Sequence, residues 1–123
     1  MPDANYRLFA WAIENRRPIV CRYQGHAREI CPVILGRNRN GEDSVLVWQT
    51  GGATSKGPLT TPEWKCLALK NIADVRLGDG AWETGSSHQQ HQVCVKDVDY
   101  DANPASPYRP RQSLGRLRNA PLA

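Results

Sequence analysis

Leu8, Phe9, Ala12 and Ile13 recur at helical spacing, so residues Asp3 to Arg16 predict a short amphipathic helix with Asp3 placed to cap its start. Pro18 disfavours helical geometry at Arg17 and ends the helix there. The hydrophobic period then drops from about 3.6 to 2. Ile19, Cys21 and Tyr23 alternate with Val20, Arg22 and Gln24. Gly25-His26 reads as a two-residue turn, and Arg28 and Ile30 continue on a returning strand that ends near Pro32. That pairing sets Tyr23 opposite Arg28, Arg22 opposite Glu29 and Cys21 opposite Ile30. One face then holds Ile19, Cys21, Tyr23, Arg28 and Ile30, and the other is wetter, with an Arg22–Glu29 charge pair.

Asn38-Arg39-Asn40-Gly41 is a strong turn signal, and Ser44 to Gln49 is the next strand. Val45, Leu46, Val47 and Trp48 are unbroken within it, as expected of a central strand buried on both faces. Residues 50–62 read as a long loop of small residues. Trp64 to Leu69 and Ile72 to Leu77 are further strands, Gly78-Asp79-Gly80 closes the second of them, and another strand is expected over Val93–Val98. One helix followed by about five short strands predicts a mainly β fold, a small antiparallel barrel spanning residues 1–103. Residues 104–123, with Pro104, Pro107, Pro110 and Pro121 and few large apolar groups, predict an irregular tail.

Charge and cysteine usage refine this. The net charge of +4 lies entirely in the tail, where Arg109, Arg111, Arg116 and Arg118 meet no acid; the preceding residues hold equal numbers of acids and bases. A neutral body with a basic tail points less to a nucleic-acid groove than to pairing with acidic surface, such as Asp97, Asp99 and Asp101 or a partner. No apolar run reaches the ~20 residues of a membrane-spanning helix, and no export signal is legible at the N-terminus. The expectation is a cytoplasmic protein in which Cys21, Cys31, Cys66 and Cys94 are free thiols. If the tail is ordered it must pack on protein, and a homodimer through residues 104–123 is a simple source of that surface.

The order of motifs over residues 5–80 resembles bacterial WYL domains, small SH3- or Sm-like β-barrels usually joined to a DNA-binding winged helix. The helix Leu8–Ala12–Ile13 leads into Arg17-Pro18-Ile19-Val20-Cys21-Arg22-Tyr23, and Gly25, Arg28 and Pro32 follow in step. Gly41 precedes the strand Val45–Gln49, and Leu69-Lys70-Asn71-Ile72 stands where the family commonly has Leu-Asp-Arg-Ile. Asp43-Ser44-Val45 occupies the place of the family's namesake tripeptide, so the chain is similar to a divergent, free-standing member. The resemblance implies a ligand-sensing regulatory module that responds to nucleic acid or nucleotides.

Candidate chemistry is confined to binding. Tyr23 and Arg28 either hold a phosphate or a base or form a cation–π pair that only stabilises the hairpin. Trp48 and Trp64 are either core residues or stacking platforms for bases. Tyr23, His26, Arg28, Trp48 and Lys65 form the candidate ligand-binding set for a nucleotide or single-stranded nucleic acid. His88 and His91 have the spacing of one helical turn, with Cys94 as a third ligand three residues on, but the set matches no well-attested zinc pattern, and a polar surface segment is the simpler reading. The Asp97-Val98-Asp99-Tyr100-Asp101 run is no calcium loop, because Ala102 stands where Gly is needed and Tyr108 where a Glu is needed. There is no nucleophile elbow, phosphate loop or HExxH, so the expectation is a non-enzymatic module without cofactors. The rival expectation is a protein-interaction or assembly module acting through the tail.

Overall fold

A computed structural model describes residues 5–84, 92, 94–112, 114, 115, 117, 118, 120 and 121. The Asp3 cap, the His88–His91 pair and Val93 lie outside the described residues. Helix α1 (Tyr6–Asn15) buries Phe9, Ala10, Ala12, Ile13 and also Glu14. It stops at Arg16, whose backbone turns left-handed (φ 53°), and the Arg17 N–H closes on Ala12 O at 2.9 Å before Pro18.

Strands β1 (Ile19–Tyr23), β2 (His26–Arg37), β3 (Asp43–Thr54), β4 (Gly57–Pro58), β5 (Glu63–Ala68), β6 (Ile72–Leu77) and β7 (Asp97–Asp101) form a curled antiparallel sheet around one core. β2 is its spine: β3 runs along one side, while β1 and then β7 share the other. A 3-10 turn, Leu69–Asn71, carries the chain from β5 beside β3 to β6 beside β1. The two flanks of the sheet thus curl toward each other as a half-barrel, as the mainly β expectation requires. Among the described residues no helix is long and apolar enough to cross a membrane.

The first hairpin corrects the expected register. Its turn is Gln24-Gly25, both with positive φ (52° and 81°), and Tyr23 pairs with His26, Arg22 with Ala27 and Cys21 with Arg28. The displacement is two residues, so every side chain keeps its expected face. Arg22 therefore bonds Asp74 of β6, at 3.5 Å, rather than Glu29.

Two strands outrun their expected ends. β2 continues past Pro32 because the ladder to β3 is irregular between Pro32 and Ile34, which suits a residue without an N–H. β3 continues through Gly51 and Gly52 to pair with β4, so the expected loop over 50–62 is largely strand and hairpin. At Gly52 (φ 89°) a Cβ would stand 2.2 Å from Ala27 O, and only glycine lets β2 come that close. The strand expected over Val93–Val98 begins instead at Asp97.

Cys66 and Cys94 are joined as a disulfide, with Cα atoms 5.7 Å apart, so the four-free-thiol expectation is corrected. Cys21 and Cys31 are free and buried. Sequence offered no signal for the bond, because the two cysteines are 28 residues apart and meet only once β5 and the approach to β7 are in place.

The described residues of the tail are irregular, as expected, but they dock on their own chain. Backbone N–H groups of Arg111 and Gln112 donate to Val98 O and Asp99 O. Beyond them the buried Glu14 carboxylate accepts the N–H groups of Gly115 (3.1 Å) and Leu117. Trp11 Nε1 donates to Ala120 O at 2.6 Å, Asn15 Nδ2 to Leu117 O at 3.0 Å, and Arg7 to Pro121 O at 3.0 Å.

Candidate functional site

Cross-strand partners share a face, so the register decides which candidate residues meet. Tyr23 pairs with His26, and Arg28 lies two residues beyond His26 on the same side of β2. Ile30 of that side pairs with Gln49, and β3 sets Val47 opposite Lys65 and Gln49 opposite Glu63. Tyr23, His26, Arg28, Gln49 and Lys65 consequently lie on one face of the curled sheet. Trp48 pairs with Cys31 and with Trp64, on the opposite face. There the two half-buried indoles meet edge to face, 5.0 Å between centroids. The structure thus brings four of the candidate residues onto one face and separates Trp48 from them.

Arg28 is the centre of the first face. Only 4% of it is exposed. Its guanidinium lies over the Tyr23 ring, 5.0 Å from the centroid, a cation–π contact. Nη1 donates to Gln49 Oε1 at 3.3 Å, a long bond, and Nε has no hydrogen-bond partner among the described residues. Nor does any carboxylate among the described residues form an ion pair with it. Its cross-strand partner on β1 is Cys21. Burial pushes that thiol up to about 11 despite the pull of the Arg28 charge, so at neutral pH it stays protonated and offers no counter-charge.

Gln49 is the residue that sequence reasoning missed. It is fully buried, accepts from Arg28, and donates through Nε2 to Gly51 O (3.0 Å) and Ala53 O (3.2 Å). Its amide is therefore locked with oxygen toward the guanidinium. The available signal was a polar residue ending the apolar run Val45–Trp48 at inward parity. Tyr23 is fixed in turn by the Ala68 N–H, which donates to its hydroxyl at 3.4 Å. At the edges of this face Lys65 is half-buried and bonds Glu63 at 2.9 Å, while His26 is half-buried at the end of the hairpin.

A second basic region lies on the outer side of β1, where a cleft of about 400 Å³ is lined by Arg22, Ala27, Asp74 and Arg76. There Arg22 already has Asp74 as its counter-charge. Among the described residues no group of three His, Cys, Asp or Glu side chains is placed to hold a metal ion. No protein-family model, curated protein or solved structure matches the chain.

Proposed function

We propose that the chain is a non-enzymatic binding module that takes an anionic ligand, a nucleotide or single-stranded nucleic acid, at the Arg28 face. The observation that carries this reading is a buried guanidinium that, among the described residues, has no counter-charge and whose Nε has no acceptor. Burying an unpaired charge costs several kcal/mol, roughly the scale of a small domain's whole stability margin. A phosphate oxygen would supply both the missing charge and the missing acceptor. The Tyr23 ring already stacked on Arg28 offers a flat apolar wall beside it, and Lys65 and His26 stand at the edges of the same face. The reading agrees with the sensing role that the WYL resemblance implies.

Two probes test this, a fluorescein-labelled oligothymidylate followed by anisotropy and adenosine triphosphate followed by calorimetry. Binding is expected at about 20 mM salt and falls steeply as salt rises, by counterion release. Arg28→Met keeps the volume and removes the charge. It is expected to weaken binding roughly ten- to hundredfold, the worth of one charge-assisted hydrogen bond, while leaving the unfolding midpoint unchanged or higher. Absence of binding by both probes at low salt overturns the proposal. A large loss of stability in Arg28→Met would instead make the Tyr23–Arg28 contact purely structural.

A further inference from the structure

We propose that the Cys66–Cys94 bond is a site of thiol–disulfide exchange that sets the order of strand β5. Among the four cysteines this is the pair a reagent can reach: Cys66 is exposed and Cys94 half-buried, whereas Cys21 and Cys31 are buried. The bond also lies where it has mechanical leverage. β5 pairs with β3 on one side, and among the described residues no strand pairs with its other side. Its covalent tie runs to Cys94, at the approach to β7. Just beyond Cys94, Val95 is buried and the Lys96 N–H donates to Arg37 O at 2.8 Å. The disulfide therefore fastens an edge strand to the centre of the sheet.

Cys94 is held in place without the bond. The Gln92 side chain spans it, accepting from the Val95 N–H at 2.9 Å and donating to Val95 O at 2.8 Å. The Gln92 N–H donates to the Tyr108 hydroxyl at 3.0 Å. A reduced Cys94 thiol thus stays next to β5, and the closing step is intramolecular at high effective concentration. Reversible opening is the behaviour such a geometry supports.

The exchange needs an external dithiol, a small molecule such as dithiothreitol or a protein dithiol. One of its thiolates attacks the exposed Cys66 Sγ, and the Cys94 sulfur leaves as thiolate and takes a proton. The second thiol of the reagent then attacks its own sulfur in the mixed disulfide and releases Cys66. Two electrons and two protons pass to the chain, giving two thiols, and the reagent ends as its disulfide. Because β5 carries Lys65, reduction would also loosen one edge of the ligand face; that consequence alone rests on the proposed function.

Alkylation with iodoacetamide and mass spectrometry test the site without any ligand. The native, unreduced protein is expected to take up no label. After dithiothreitol under native conditions Cys66 and Cys94 are labelled, and Cys21 and Cys31 only after denaturation. Hydrogen exchange tests the consequence. Amides of β5 should exchange at least about tenfold faster on reduction, with β1 and the first half of β2 unchanged, and reoxidation should restore protection. The double variant Cys66→Ser/Cys94→Ser should match the reduced protein. Labelling of Cys66 before reduction, unchanged exchange in β5, or a rise across the whole sheet each overturns the proposal.

Discussion

Replacing Glu14 with alanine is expected to lower the unfolding free energy by about 2–4 kcal/mol, the scale for losing two part-buried hydrogen bonds to a charged acceptor. Glu14 is 2% exposed on the face of α1 that meets the tail, and its two oxygens take the N–H groups of Gly115 and Leu117. Removing the carboxylate leaves both donors without partners, and Leu117, which packs on the core, loses its anchor. Glu14→Gln retains the shape and should lose about half as much, since a neutral acceptor is weaker. Truncation after Gln112 should cost at least as much, because it also removes the carbonyl acceptors of Trp11, Asn15 and Arg7. The measurement is a urea unfolding curve for each variant. A midpoint unmoved by either Glu14→Ala or the truncation would show that the tail is the appendage its composition suggests.

The second large effect centres on Asp99. Arg37 grips both its oxygens, at 2.8 and 3.0 Å, and the Tyr6 hydroxyl donates to one of them, so β2, β7 and α1 meet in one polar knot. Asp99→Ala is expected to cost about 2–4 kcal/mol, somewhat under the value for a fully buried pair, since the Arg37 side chain is 27% exposed and water can reach it. The same knot sets the pH dependence. Burial pushes the Asp99 carboxyl up, but the bonds from Arg37 and Tyr6 outweigh it and hold the group below its usual range. Its contribution is therefore complete above the unfolded value of about 4 and is lost as pH falls through the lower folded value. Burial and the Asp99 carboxylate raise the Tyr6 hydroxyl. Its contribution is complete below the unfolded value of about 10 and is lost as pH rises beyond it. Stability should form a plateau between these limits, and Asp99→Asn should flatten the acid limb. An acid limb unchanged in Asp99→Asn would place the acid-sensitive group elsewhere.

Legibility followed the physics of each signal. The helix was readable because Phe9, Ala12 and Ile13 need one apolar side, and the face of β1 because period-2 alternation survives an even shift of register. The turn itself was misplaced because Gln24 adopts a left-handed backbone that the sequence assigns more readily to glycine. The ends of β2 and β3 were hidden because Pro32 and Gly51-Gly52 usually stop strands and here sit at irregularities in the ladder. For the site, pattern alone put Tyr23 and Arg28 on one face. Alternation states parity and not depth, so it could not show that Arg28 is buried with no counter-charge among the described residues, nor that Gln49 would be turned toward it. Glu14 carried a faint signal, a carboxylate four residues after Ala10 on the packed side of α1. Asp99 carried none that separates it from Asp97, which stays exposed two residues away.

The Glu14 clasp imposes an order of events on the molecule's making. A ten-residue helix is marginal in water on its own, and the donors that complete its outer side stand 101 and 103 residues later in the chain. During synthesis α1 is therefore laid down early and finished late, after the sheet it leans on has emerged. Such long-range closures fold slowly because the intervening chain must be ordered first. A released chain that ended before residue 114 would keep every strand of its sheet, yet its first helix would still present a bare carboxylate.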